Sequence, residues 1–272
     1  MNNLMNDFNT LSYYKLSDGK WQDCDSSFHN RGFLYGDGLF ETMVFNNGIL
    51  SHREFHEDRL WNGCDVIGLD KTSLTSLLDI QNLLLDKFGK ETLLRIRWNV
   101  FRGGQGKYTP ETDAANESLQ IQSFHSATPI KSKAYFSKNI KVPKTNWSHC
   151  KTMNALVYVL ANLERTQLGM NEVILTNTDD MISEAGSSNI FWVKDQVFFT
   201  PSLKCSCIAG VGRRLIIEKL KHNSREIVEG EFSPKDLLNA ETVFTTNVTG
   251  LSFIGQIEGK SFHTSLDLDL TF

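Results

Sequence analysis

Cys150-Lys151-Thr152-Met153-Asn154 opens a run in which Met153, Leu156, Val157, Leu160 and Leu163 recur at intervals of three and four. That spacing predicts a helix with one apolar stripe, ended at Gly169, whose missing Cβ suits a left-handed cap. Lys151 therefore stands at the mouth of a helix. Beyond it, Glu172 to Thr176 reads as a strand, and Asn189 to Val193 with Val197 to Thr200 as a hairpin about Lys194-Asp195-Gln196. Gly210-Val211-Gly212 leads into a helix through Leu220. Ser233-Pro234 supplies an N-cap and a first-turn proline for a short helix before a strand from Thr242 to Thr246.

Upstream, Glu41 to Phe45 alternates as a strand and Asn46-Asn47-Gly48 turns it. Helical spacing follows from Phe55 to Val66, and a second helix from Ser73 to Phe88 closes on Gly89. Thr92 to Phe101 alternates as a long strand with Leu119 to Ser123 as its neighbour. Ser126-Ala127-Thr128-Pro129 reads as a connector, and Lys138 to Val142 as the strand that opens the second half. Short strands alternating with helical patterns suit an α/β or α+β chain, with its domain boundary at that connector. The tail Leu266-Asp267-Leu268-Asp269-Leu270 alternates without revealing its neighbour.

A chain of 272 residues has ample material for a core, whether in two domains or one large one. A net charge of -4 offers no basic field for phosphate backbones, so nucleic acid is not an expected partner. The apolar stretch from Ala155 to Leu163 is far shorter than the roughly 20 residues of a membrane helix. Met1-Asn2-Asn3 carries no charged-then-apolar leader pattern, so the expectation is a soluble, cytoplasmic chain. Five cysteines, an odd number with no C-x-x-C pair, suit reduced thiols, and Cys205-Ser206-Cys207 has no matching pair to complete a metal site. His52 and His56 lack the H-E-x-x-H order of zinc hydrolases, and neither a G-x-S-x-G elbow nor a P-loop is present.

Four further blocks flank Lys151. They are Arg31-Gly32-Phe33-Leu34-Tyr35-Gly36-Asp37-Gly38-Leu39-Phe40-Glu41, His56-Glu57-Asp58-Arg59-Leu60, Ser183-Glu184-Ala185-Gly186-Ser187-Ser188-Asn189-Ile190-Phe191 and Gly210-Val211-Gly212-Arg213. Together, and in this order from about Arg31 to Gly250, they resemble the class IV aminotransferases, the fold-type IV pyridoxal 5'-phosphate enzymes. The resemblance implies an α+β fold with a small α/β domain, here over 1–123, a connector over 124–131 and a larger pseudo-barrel α/β domain over 132–272, the cofactor between the domains, and a homodimer whose partner helps close the site. Lys151 would form the imine with the cofactor aldehyde and then move the α-proton of an amino-carboxylate substrate. Glu184 would pair with the pyridine nitrogen, and Arg59 would grip the phosphate.

Val211 and Gly212 would offer backbone N–H groups to the same phosphate at a helix start. Gly212 departs from the family pattern, which often has a hydroxyl residue there. Thr246, Asn247 and Thr249 resemble the last phosphate-side loop, with the contacting hydroxyl left open. On the substrate side, Arg97 and Arg102 are candidates for a carboxylate, or equally for surface or interface charges, and Tyr35 and Glu41 for the pocket wall. The short step Lys151-Thr152-Met153-Asn154 resembles aminodeoxychorismate lyases and D-amino-acid aminotransferases more than branched-chain enzymes. No histidine follows Arg102-Gly103-Gly104, as it does in the D-specific enzymes, which tilts the expectation toward the lyase that leaves 4-aminobenzoate and pyruvate in folate synthesis. A non-catalytic cofactor-binding protein is the reading of a different class.

Overall fold

In the computed structural model, residues 13–14, 22–23 and 30–270 are described. Met1-Asn2-Asn3 and Cys24 lie outside them. Strands β1 (Tyr13–Tyr14) and β2 (Gln22–Asp23) form an antiparallel pair. A short helix, α1 (Arg31–Tyr35), follows, capped by the Asn30 side chain and closed by Gly36 at a φ of 66°. Five residues are too few to show a helical period, so α1 was not legible in the pattern.

The first sheet runs β4-β3-β5-β6, from β3 (Gly38–Asn46), β4 (Ile49–Leu50), β5 (Leu94–Arg102) and β6 (Ala115–Ser123), all antiparallel. Helices α2 (Arg53–Ile67) and α3 (Leu77–Phe88) cover one face. Side chains alternate across a strand, so Leu39, Met43 and Phe45 of β3 share that covered face with Ile96, Trp98 and Val100 of β5. Phe40, Thr42, Arg95 and Arg97 consequently point the other way, into a cavity. Strand β3 starts at Gly38, earlier than its alternation suggests, because it lies tight against β5. A Cβ on Gly38 would sit 2.6 Å from the Val100 carbonyl oxygen. Helix α3 begins at Leu77, where the Ser76 side chain accepts from the Asp79 amide, rather than at Ser73.

Two larger sheets carry the second half. β8 (Ala134–Val142), β9 (Glu172–Asn177) and β10 (Ile182–Ala185) join two short strands, β16 (Gln256–Ile257) and β17 (Lys260–Ser261), in the order β10-β9-β8-β16-β17. The other sheet runs β13-β12-β11-β14-β15-β7, from β7 (Ile130–Lys131), β11 (Asn189–Lys194), β12 (Val197–Pro201), β13 (Ile227–Gly230), β14 (Thr242–Asn247) and β15 (Gly250–Ile254). Ile174 and Ile182 of the first meet Ile190, Trp192 and Val243 of the second in a shared core. Helix α4 (Leu156–Gln167) lies on β8 and β9, α5 (Val211–His222) covers Phe191, Phe198 and Phe244, and α6 (Pro234–Leu238) opens with a capping box at Ser233 and Asp236.

The tail finds its neighbour on that α5 layer. Leu266 and Leu268 pack against Ile216, Leu220 and Phe198, and Leu270 is buried among them. The apolar stripe of α4, by contrast, turns outward: Leu156, Leu160 and Leu163 are exposed and only Ala161 is buried. Cys64, Cys150, Cys205 and Cys207 are free and buried. No helix among the described residues is long and apolar enough to cross a membrane.

Candidate active site

The segment before α4 is stitched to the start of β3. Phe40 donates its amide to the Lys151 carbonyl at 2.9 Å, and Met153 donates to Gly38 at 2.8 Å. This places Lys151 on the wall of a cavity of about 500 Å³ between the first sheet and the second half of the chain. Its amine lies 4.4 Å from the centre of the Phe40 ring, with no hydrogen-bond acceptor among the described residues. Burial, reinforced by the Arg59 charge, brings the ammonium down to about 8, while Glu41 and Glu184 pull weakly the other way.

Glu184 sits on β10 at a break in its register with β9, buried across the cavity. Tyr158 of α4 donates its hydroxyl to Oε1 at 2.6 Å, and the Ile208 amide approaches both oxygens at 3.3 and 3.2 Å. Asn189 Nδ2 reaches Oε2 only at 3.5 Å. Burial nonetheless pushes the carboxyl up to about 7, so its ionised form has much to gain from a nearby cation.

Arg59, which also lines the cavity, is aimed by Glu41. Its Nε donates to Glu41 Oε1 at 2.8 Å, its Nη2 to Oε2, and its Nη1 to the Ala209 carbonyl at 3.3 Å. His56 Nδ1 holds Oε2 at 2.6 Å. Burial works against the Glu41 charge, but Arg59 and His56 outweigh it and hold the carboxyl down at about 2. Beside Arg59 the first turn of α5 opens onto the cavity, where its leading amides have no intrahelical acceptor. A Cβ on Gly210 would fall 1.9 Å from Asn189 Oδ1, so a larger residue there must displace Asn189 or the helix start. Thr246 Oγ1 is buried in the cavity lining with no hydrogen-bond partner among the described residues, whereas Thr249 Oγ1 is spent on Asn247 Oδ1 at 2.6 Å. Asn247 itself braces the β10–β11 turn by donating to the Ser187 carbonyl and Ser188 Oγ.

The model of the class IV amino-transferase family matches residues 38–257. The chain belongs to that family. It is 25% identical to the aminodeoxychorismate lyase of Vibrio harveyi over 80% of its own length and 82% of the relative's. It is 26% identical to the D-alanine aminotransferase of Bacillus licheniformis, covering 84% of this chain and 81% of that one. The branched-chain amino-acid aminotransferase of Escherichia coli shares the fold at a TM-score of 0.78 and 20% identity, over 92% and 87% of the two chains. Class IV aminotransferases are enzymes whose cofactor is pyridoxal 5'-phosphate.

The class IV cofactor needs an amine, an acid facing its ring nitrogen and a clamp for its phosphate, and the cavity offers each. Lys151 has an amine with no hydrogen-bond acceptor among the described residues, Glu184 is an acid held near 7 by burial, and Arg59, the first turn of α5 and Thr246 all line the cavity. The donor set therefore fits the group. Val211, Gly212 and Asn247 line it too, and Arg97 lines it from the first sheet.

Three sequence candidates stand off the cavity. Glu41 faces the covered side of its sheet and acts behind Arg59, because its position on β3 has the parity of Leu39 and Met43. Arg102 is buried off the cavity and gives four of its five donors to Asp37, Asp113 and the carbonyls of Ile67 and Gly68. Tyr35 packs its ring against Tyr108 at 5.8 Å and under Arg31. Conversely, His56, Arg95, Tyr158 and Asn189 line the cavity and were not picked out. The signals existed for two of them: His56 and Arg59 are one turn apart on α2, and Arg95 and Arg97 share a strand face.

Proposed function

We propose that this class IV enzyme removes the proton from the amine-bearing carbon of an amino-carboxylate substrate, and that its reaction is the aminodeoxychorismate lyase reaction. What carries the reading is the buried Lys151 amine, lowered to about 8, in one cavity with Glu184. When bound, the cofactor supplies an aldehyde to the amine and a protonated ring that accepts the electrons left by the proton. Lys151, neutral in a large fraction near pH 8, takes that proton and returns one to the departing enol as the substrate C–O bond breaks. Glu184 keeps its charge against the ring nitrogen. Arg59, the α5 amides and Thr246 hold the phosphate end, so the reacting carbon stays within reach of Lys151.

The lyase reading gains support from the first-sheet wall. Arg95 and Arg97 both line the cavity, and neither has a carboxylate partner among the described residues. Arg95 donates to Gln122 at 3.0 Å, and Arg97 donates to Asn99 at 2.8 Å while stacking 3.6 Å over Phe40. Two uncompensated guanidinium groups on one wall suit a substrate with two carboxylates, as aminodeoxychorismate has and alanine or leucine does not. A transaminase acting on D-amino or branched-chain amino acids is the alternative, supported by the relatives. Incubation with aminodeoxychorismate separates them: pyruvate released with no added 2-oxo acid supports the lyase, and turnover that requires a 2-oxo acid supports the transaminase. The reading includes a homodimer, for which sedimentation should report twice the chain mass.

A further inference from the structure

We propose that Tyr158 is a positioning residue for the cofactor ring: its hydroxyl occupies Glu184 Oε1 and thereby leaves Oε2 as the oxygen that meets the ring nitrogen. The proposal rests on the reading above that Glu184 faces that nitrogen. The geometry is asymmetric. Oε1 receives the short bond of 2.6 Å from the Tyr158 hydroxyl, while the Ile208 amide is shared between Oε1 at 3.3 Å and Oε2 at 3.2 Å and Oε2 has otherwise only Asn189 at 3.5 Å. One oxygen carries a short, strong bond and the other only long ones, so the second is the better remaining acceptor. Tyr158 lines the cavity from the first turn of α4, the helix that Lys151 precedes, so one short segment carries both the amine and the donor that orients the acid.

The bond also sets how basic Glu184 is. A donor to the ionised form disperses its charge and lowers its proton affinity, which opposes the burial that pushes the carboxyl up. The Tyr158 phenol is itself held well above its ordinary value, first by burial and then by the Glu184 charge, so it donates across the working pH range. Lys151, Arg213 and Cys207 also face Glu184, from the segment before α4, from α5 and from the loop after β12. None of them changes when the hydroxyl is deleted. A carboxylate without that donor is the stronger base and draws the shared proton away from the ring nitrogen.

The test is Tyr158→Phe, which keeps the ring that packs on the cavity wall and removes only the donor. Two readouts apply. In cofactor-free protein, the carboxyl infrared band of Glu184, assigned by its loss in Glu184→Gln, should titrate about one pH unit higher in Tyr158→Phe than in the parent. In protein loaded with ring-15N pyridoxal 5'-phosphate, the nitrogen resonance should move toward the unprotonated position in Tyr158→Phe. A titration and a resonance both unchanged in the folded variant overturn the proposal. If the resonance is identical in the parent and Glu184→Gln, the underlying reading of Glu184 fails, and the Tyr158 proposal falls with it even if the infrared titration shifts.

Discussion

Lys151 does its work by being hard to charge. Its ammonium titrates near 8 instead of 10.5, because burial removes the water that would solvate it and Arg59 repels it. The folded protein therefore binds fewer protons than the unfolded chain between about 8 and 10.5, and this site's contribution to stability rises with pH across that window. The reactive neutral amine follows the same curve. The rate at which added pyridoxal 5'-phosphate develops its imine absorbance should climb tenfold per pH unit below about 8 and level off above it. A profile still climbing at pH 10 would mean that the amine is solvated. Lys151 and Glu184 were legible in the sequence through the company they keep. Tyr158 was not, because its partner Glu184 lies 26 positions away and only the packing of α4 beside β10 brings them together.

On β5, alternation decides which arginines matter. Arg95 and Arg97 share the cavity face with Phe40 and Thr42 of the paired strand, whereas Arg102 lies at the strand end among Asp37, Asp113 and two carbonyls. Sequence alone shows the alternation but not which face the helices cover, which is why Arg102 could pass for a substrate contact and Arg95 for a surface charge. Arg95→Gln and Arg97→Gln should each raise KM for aminodeoxychorismate about tenfold, as expected for loss of about 1.4 kcal/mol of a charged hydrogen bond, with cofactor affinity unchanged. Unchanged KM in both variants would remove the two-carboxylate argument. At the start of α5, Gly210→Ala forces its new methyl against Asn189 Oδ1, 1.9 Å away, and must displace either Asn189 or the helix start. Cofactor affinity should fall at least tenfold by fluorescence titration, and an unaltered affinity would show that the α5 amides do not hold the phosphate.

Across the whole molecule, the cavity exists because two bodies of structure share one wall. The first sheet turns its polar face inward, the two larger sheets deliver Glu184 from the edge strand β10 and Thr246 from the interior strand β14, and the backbone bonds of Lys151 and Met153 to β3 join them. The strands of six residues or more and helices α2 to α6 could be read from periodicity. The joins could not, because they depend on contacts such as Phe40 to Lys151 between residues far apart in sequence. The tail shows the same division: its alternation predicts a buried side, but only the fold identifies Ile216, Leu220 and Phe198 as the surface it covers. Leu270→Ala should cost about 3 kcal/mol of unfolding free energy in urea titration, as for other buried leucines. A loss below about 0.5 kcal/mol would show the tail to be loosely held.

Borohydride reduction of the protein loaded with pyridoxal 5'-phosphate, followed by peptide mass spectrometry, bears most directly on the assignment of Lys151. The mass of the reduced cofactor should appear on the peptide containing Lys151 and be absent in Lys151→Ala. Label on a different lysine, or protein that stays colourless and unlabelled, would contradict it.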